Sequence, residues 1–89
     1  MAVVEGTLNE RGARYGLFGN QAYISQGLTE FMHEQPGWKK LKDHQKESLE
    51  MIQHKVARIL NGDPNYADSW HDIAGYATLV EKYINGEEI

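Results

Sequence analysis

Between Asp43 and Leu60 the apolar residues Leu49, Ile52, Val56, Ile59 and Leu60 return at helical spacing, while Glu47, Glu50, His54 and Arg58 fall on the far side. In a chain of 89 residues, one amphipathic helix of that length sets the architecture, because other helices have to cover its stripe. Asp43 is placed to cap its start, and Asn61 with Gly62 predicts a left-handed stop.

The rest of the chain carries the same period, and no segment alternates as a strand does. From Asn20, read as an N-cap, Ile24, Leu28, Phe31 and Met32 share one face until Pro36 and Gly37 end the helix. Trp38 and Leu41 are expected to fold back onto the core from the connection. After Asn61 to Asn65, with Asp63 or Asn65 as cap, a further helix runs to Ile84 and stops at Asn85 and Gly86. Near the N-terminus, Thr7 and Glu10 stand in capping-box order, but Gly12 and Gly16 limit that helix to a turn or two. The expected fold is therefore all-α: a single helical domain over residues 1–89, a small bundle of three main helices (about 20–35, 43–60 and 65–84) with a short N-terminal helical turn.

A domain this small has a modest core, so self-association is a natural supplement. Cysteine is absent, which removes disulfides, thiol nucleophiles and thiolate metal sites. No apolar run reaches membrane-spanning length and no leader is evident, so a soluble cytoplasmic protein is expected. The formal charge of -4 argues against a nucleic-acid partner, which needs clustered cations. The cluster Lys39, Lys40, Lys42 and Lys46 reads as a solvated turn and helix start.

The last helix is the informative one because two of its sides are dressed. Tyr66, Trp70, Ile73, Ala77, Val80 and Ile84 form the expected core stripe. About a third of a turn away lie Asp68, Asp72, Tyr76, Leu79 and Tyr83, with Gly75 among small neighbours. A helix glycine costs about 1 kcal/mol relative to alanine, so a close approach by another backbone or a ligand is the reason to propose for it. Asp68 and Asp72 can pair with Arg14, Lys55 or Arg58 across the bundle and fix its register. Tyr76 and Tyr83 suit a core or a subunit interface, and less often a base-stacking platform.

Other chemical templates fail on spacing. His33-Glu34 lacks a second histidine because Gly37 stands in its place, and His54 and His71 have no accompanying nucleophile turn. The glycines around Arg14 follow no strand and precede no Lys-Ser or Lys-Thr, so a phosphate-cradling loop has little support. A DNA-reading last helix is disfavoured by Asp68, Asp72 and Glu81 against Lys82 alone.

The motif residues Arg14, Tyr15, Gly16, Lys55, Arg58, Asp68, Trp70, Asp72, Gly75 and Tyr76 resemble a family of small, uncharacterised bacteriophage and prophage proteins, with a Tyr-Gly segment and a terminal Asp-x-Trp-x-Asp-Ile-Ala-Gly-Tyr helix. The resemblance covers most of the chain and implies a phage or prophage origin. More distantly, Glu47-x-x-Glu50 followed by Asp68-x-x-x-Asp72 is similar to the MazG-like all-α nucleotide pyrophosphatases. That resemblance implies Mg²⁺ held by Glu47, Glu50, Asp68 and Asp72, with Lys55 and Arg58 on phosphate and Tyr76 or Tyr83 on a base. The second acidic pair is spaced by four, where the family has three.

The favoured expectation is an accessory protein that acts by binding a host protein or a small nucleotide-like ligand. Its candidate binding residues are Arg14, Tyr15, Lys55, Arg58, Asp68, Asp72, Tyr76 and Tyr83. No catalytic residue and no cofactor are assigned, and the chain is expected to self-associate through its last helix. The alternatives are the Mg²⁺-dependent pyrophosphatase and a structural subunit without a ligand site.

Overall fold

The computed structural model describes residues 2–89, with side chains from residue 6 onward. Four α-helices occur in the order α1 (Ala2–Tyr15), α2 (Phe18–Glu34), α3 (Asp43–Asn61) and α4 (Ala67–Ile84), with a 3-10 helix at Pro36–Lys40. The all-α expectation holds. The N-terminal segment is a full helix where a turn or two was expected.

That difference has a local cause. Gly6 and Gly12 lie in open space and weaken α1 only through propensity. Its end is tied down instead: Gly16 takes φ +78 and donates its N–H to the Gly12 carbonyl at 2.9 Å, a left-handed helix stop. The other ends also depart from expectation. Leu17, not Asn20, is the N-cap of α2. At α3, Gln45 Oε1 accepts the Lys42 N–H at 2.9 Å, so Asp43 is the first helical residue and not the cap. Asp63 Oδ1 accepts the Asn65 N–H at 2.9 Å, which turns the connection, while the N-cap position of α4 is Tyr66. Gly62 has φ -136 and is not left-handed. Gly86, with φ +80, is: its N–H reaches the Tyr83 carbonyl and that of Glu87 the Lys82 carbonyl, both at 3.0 Å, a Schellman stop.

The central element is α3, against which α1, α2 and α4 all pack, whereas α4 has its main contacts with α3 alone. The expected core faces are rotated as a result. On α2 the buried residues are Gln21 and Ser25, while Phe31 is exposed. Gln53 of α3 donates through Nε2 to Thr29 Oγ1 at 2.6 Å and to Ser25 Oγ at 3.2 Å, so a polar ladder joins these two helices. On α3 itself Ser48, Gln53 and Ala57 are buried, and the expected stripe residues Leu49 and Leu60 are exposed. On α4 the buried residue is Ser69, with Ile73, Tyr76 and Val80 half-buried around it. Trp70, Ala77 and Ile84, expected in the core, lie on an exposed margin. Small residues at the buried positions let helices approach closely, which leaves the larger side chains at the edges of each contact.

Candidate binding site

All three arginines of the chain, Arg11, Arg14 and Arg58, come to one corner where the end of α1 crosses the end of α3. Two glycines make the crossing possible. A Cβ on Gly16 would fall on the Asn61 carbonyl, and one on Gly62 would fall on the Arg14 carbonyl and the Tyr15 Cα. Hydrogen bonds then fix the register. The Asp63 N–H donates to the Arg14 carbonyl at 2.8 Å, and Asn61 Nδ2 donates to the carbonyls of Tyr15 at 2.8 Å and Leu17 at 2.9 Å.

Two tyrosine rings organise the cations. Tyr15 and Tyr66 meet edge to face with centroids 6.1 Å apart. The Arg58 guanidinium carbon lies 4.4 Å from the Tyr15 centroid and that of Arg11 5.4 Å from it, while Arg14 lies 4.3 Å from the Tyr66 centroid. These are cation–π distances. Among the described residues the ion pairs are His33–Glu50 at 3.1 Å and Lys55–Asp72 at 3.0 Å, so no described carboxylate forms an ion pair with any of the three arginines. The Nε of Arg58 is buried without a hydrogen-bond partner. Beside the corner is a hollow of ≈ 250 Å³, lined by Leu8, Arg11, Tyr15, Leu17, Phe18 and Gln21 among others.

The positive field reaches His54, which touches α2 through Gln21 Nε2 at 3.5 Å and Ser25 Oγ at 3.4 Å. Burial first, and then the charges of Arg58, Lys55 and Arg11, hold its pKa below the ordinary histidine value. Neutral imidazole is favoured there. On the outer side, Asp68 accepts the Tyr66 hydroxyl proton at 2.9 Å and, chiefly through that bond, raises the phenol pKa above its ordinary value.

The sequence-derived candidates therefore divide. Arg14, Tyr15 and Arg58 meet at the corner, and Asp68 borders it through Tyr66. Lys55 and Asp72 pair with each other on the flank, so the aspartate that anchors α4 to α3 is Asp72, through Lys55 and not Arg58. Tyr76 and Tyr83 lie elsewhere, on the α4 side of a hollow of ≈ 300 Å³ with His44, Glu47 and Leu79. There Tyr83 stacks on His44 at 4.1 Å between centroids.

The four carboxylates of the magnesium reading are not gathered. Glu50 pairs with His33, Asp72 with Lys55, Asp68 with Tyr66, and Glu47 borders the α4 hollow. Among the described residues no three His, Asp or Glu side chains form a metal-holding group. No helix of the described residues is long and apolar enough to cross a membrane.

Arg11, Tyr66, Asn61 and His54 were missed as site residues. Arg11 precedes Arg14 by three and Tyr15 by four, a helix-face spacing that becomes visible once α1 is taken as a full helix. Asn61 and Gly62 looked like a helix stop, and only the crossing of α1 over α3 gives them their second role.

A family described as a domain of unknown function, DUF6378, matches residues 3–84. No curated protein sequence and no solved structure matches the chain.

Proposed function

Given that the chain belongs to the DUF6378 family, we propose that it is a self-associating binding protein, with the outer face of α4 as its contact with a second copy. A phage or prophage accessory role is the context that its motif resemblance implies. The dispersal of Glu47, Glu50, Asp68 and Asp72 favours binding over the magnesium-dependent alternative.

One observation carries the self-association: the single chain buries its large apolar residues only in part. Ala57 is the buried hydrophobic residue among those described, while Phe18 is 76% and Tyr23 83% exposed, and Leu79, Tyr83 and Ile84 are exposed along α4. Solvent reaches 6565 Å² of surface, whereas a compact monomer of 10.2 kDa exposes about 5,300 Å². The excess of about 1,200 Å² exceeds the roughly 800 Å² that each partner contributes to an ordinary stable interface. The radius of gyration, 15.1 Å, is likewise above the roughly 12 Å of a compact domain of this length.

On α4, Gly75, Leu79 and Tyr83 follow one another at intervals of four, so they share one edge of the helix. Among the described residues, and its own helix backbone aside, nothing comes within 4 Å of a Cβ on Gly75. An open hollow of ≈ 450 Å³ sits there, lined by His71, Asp72, Gly75, Tyr76 and Leu79. A bare backbone in an exposed apolar strip is suited to close helix–helix approach.

Leu79→Glu places a charge in that strip without touching the corner. The proposal expects it to lower the molecular mass in solution and to remove the rise of melting temperature with protein concentration. A variant that keeps the wild-type mass and concentration dependence would refute α4 as the contact.

A further inference from the structure

We propose that the arginine corner is a binding site for a phosphate-bearing aromatic ligand of mononucleotide size, with the phosphate among Arg11, Arg14 and Arg58 and the ring in the adjoining hollow. The inference specifies the small ligand of the binding reading, yet every residue in it belongs to one chain, so it does not depend on how the copies associate.

Charge is the first argument. The chain is acidic overall, with a formal net charge of -4, yet its arginines all sit around two touching tyrosine rings. Arg11 and Arg58 approach the same ring, so their guanidinium carbons are no farther apart than the sum of those two centroid distances. Like charges brought that close repel one another, and the ion pairs among the described residues go to other groups. A purely structural network would be expected to include a carboxylate. An incoming dianion supplies the missing negative charge.

Residue chemistry is the second. The six lysines lie outside the ring cluster, four of them around the connection between α2 and α3. Guanidinium forks match phosphate oxygens in a planar, bidentate way that ammonium groups do not. The mixed wall of the hollow is the third argument. Arg11 and Tyr15 line it, and the exposed Leu8, Leu17 and Phe18 add apolar surface. Its ≈ 250 Å³ is just under the ~300 Å³ lower end of sites for drug-sized ligands, room for one base or aryl group. Recognition of a flat ring by Tyr and Phe beside a phosphate held by arginines is the chemistry of a nucleotide site.

Calorimetric titration of the full-length protein in the presence of EDTA tests the site. The probes are inorganic phosphate, a nucleoside, the corresponding nucleoside monophosphate, and the triphosphate. The expected result is that the mono- or triphosphate binds more tightly than phosphate or nucleoside alone. Affinity should fall by about tenfold or more in Arg58→Met and in the exposed Arg11→Met, and stay unchanged in Lys40→Met. Both arginine variants should keep the wild-type helical circular dichroism without ligand, so that a loss of affinity reports the site and not the fold. Equal affinity for phosphate and nucleotide would reduce the corner to a plain anion site and overturn the proposal. So would full affinity in both arginine variants, or no binding by any phosphate-bearing probe. Leu79→Glu separates the two readings: nucleotide binding by that variant at wild-type affinity, whatever its mass, leaves the corner standing on its own.

Discussion

The corner where α1 crosses α3 and the outer edge of α4 both depend on glycine, and Gly16 and Gly75 do opposite work. At Gly16 the backbone is left-handed and the Asn61 carbonyl occupies the space a side chain would need. At Gly75 the helix is regular and the space is empty. The first is a closed contact, finished within one chain by hydrogen bonds from Asn61 and Asp63. The second is an open one, flanked by exposed Leu79 and Tyr83. A site whose geometry is complete can hold a small ligand at once, whereas a surface that has not met its complement is suited to assembly.

Substituting the two glycines gives the largest contrast. Gly16→Val should cost about 2–3 kcal/mol, lowering the melting temperature by roughly 10 °C or more, because both the backbone conformation and the crossing have to yield. Gly75→Leu improves helix propensity, and its Cβ meets no described residue outside the helix's own backbone within 4 Å, so its effect should appear in the mass and not in the fold of the subunit. Similar losses of secondary structure in both variants, by circular dichroism on heating, would erase the distinction.

A smaller effect probes the interior between the two regions. Gln53→Leu removes the donor to Thr29 and Ser25 and should cost about 1–2 kcal/mol in a denaturant titration. No loss would mean that the polar ladder does not help hold α2 on α3.

Acid tests the electrostatics of the corner. The folded-state pKa of His54 is depressed by burial and by Arg58, Lys55 and Arg11, so the unfolded chain takes up the proton first as pH falls. Stability is complete above the unfolded value of about 6.5 and is lost as pH falls from there through the folded pKa. Groups facing the imidazole are Arg11 from α1, Gln21 and Ser25 from α2, and Lys55 and Arg58 from its own helix, with Asp72 of α4 paired to Lys55. His54→Gln should flatten this limb of the profile. An anion among the arginines should raise the His54 pKa in a proton NMR titration, and an unmoved resonance would place the anion elsewhere.

The smallest effect belongs to the pair that joins α4 to α3. Lys55 and Asp72 are 3.0 Å apart with the aspartate partly open to water, so a double-mutant cycle with Lys55→Met and Asp72→Asn should give a coupling of about 0.5 kcal/mol that fades with salt. A coupling several times larger would make this pair, and not close helix packing, the main tie between the two helices.

Much of the architecture was legible from periodicity. The limits of α3 and the end of α4 follow from the recurrence of apolar residues and from Gly86. What could not be read was which face each helix turns inward. Helical spacing marks an apolar stripe, but the close contacts fall on Gln21, Ser25, Ser48, Ala57 and Ser69, because small and mutually hydrogen-bonded residues let backbones approach. The corner was half legible. Arg14, Tyr15 and Arg58 stood out as candidates, and Lys55 found its aspartate. Arg11 and Tyr66 were hidden, the first by the glycines that made α1 look too weak to present a face, the second by its apparent place in a core stripe. Long-range crossings such as Gly16 over Asn61 leave no trace in local pattern.

The central claim is that the folded chain associates with a second copy through α4. Light scattering at micromolar concentration measures this directly. It should return a mass at least twice the 10.2 kDa of a single chain, reduced in Leu79→Glu. A folded, cooperatively melting wild-type protein at the single-chain mass would contradict it.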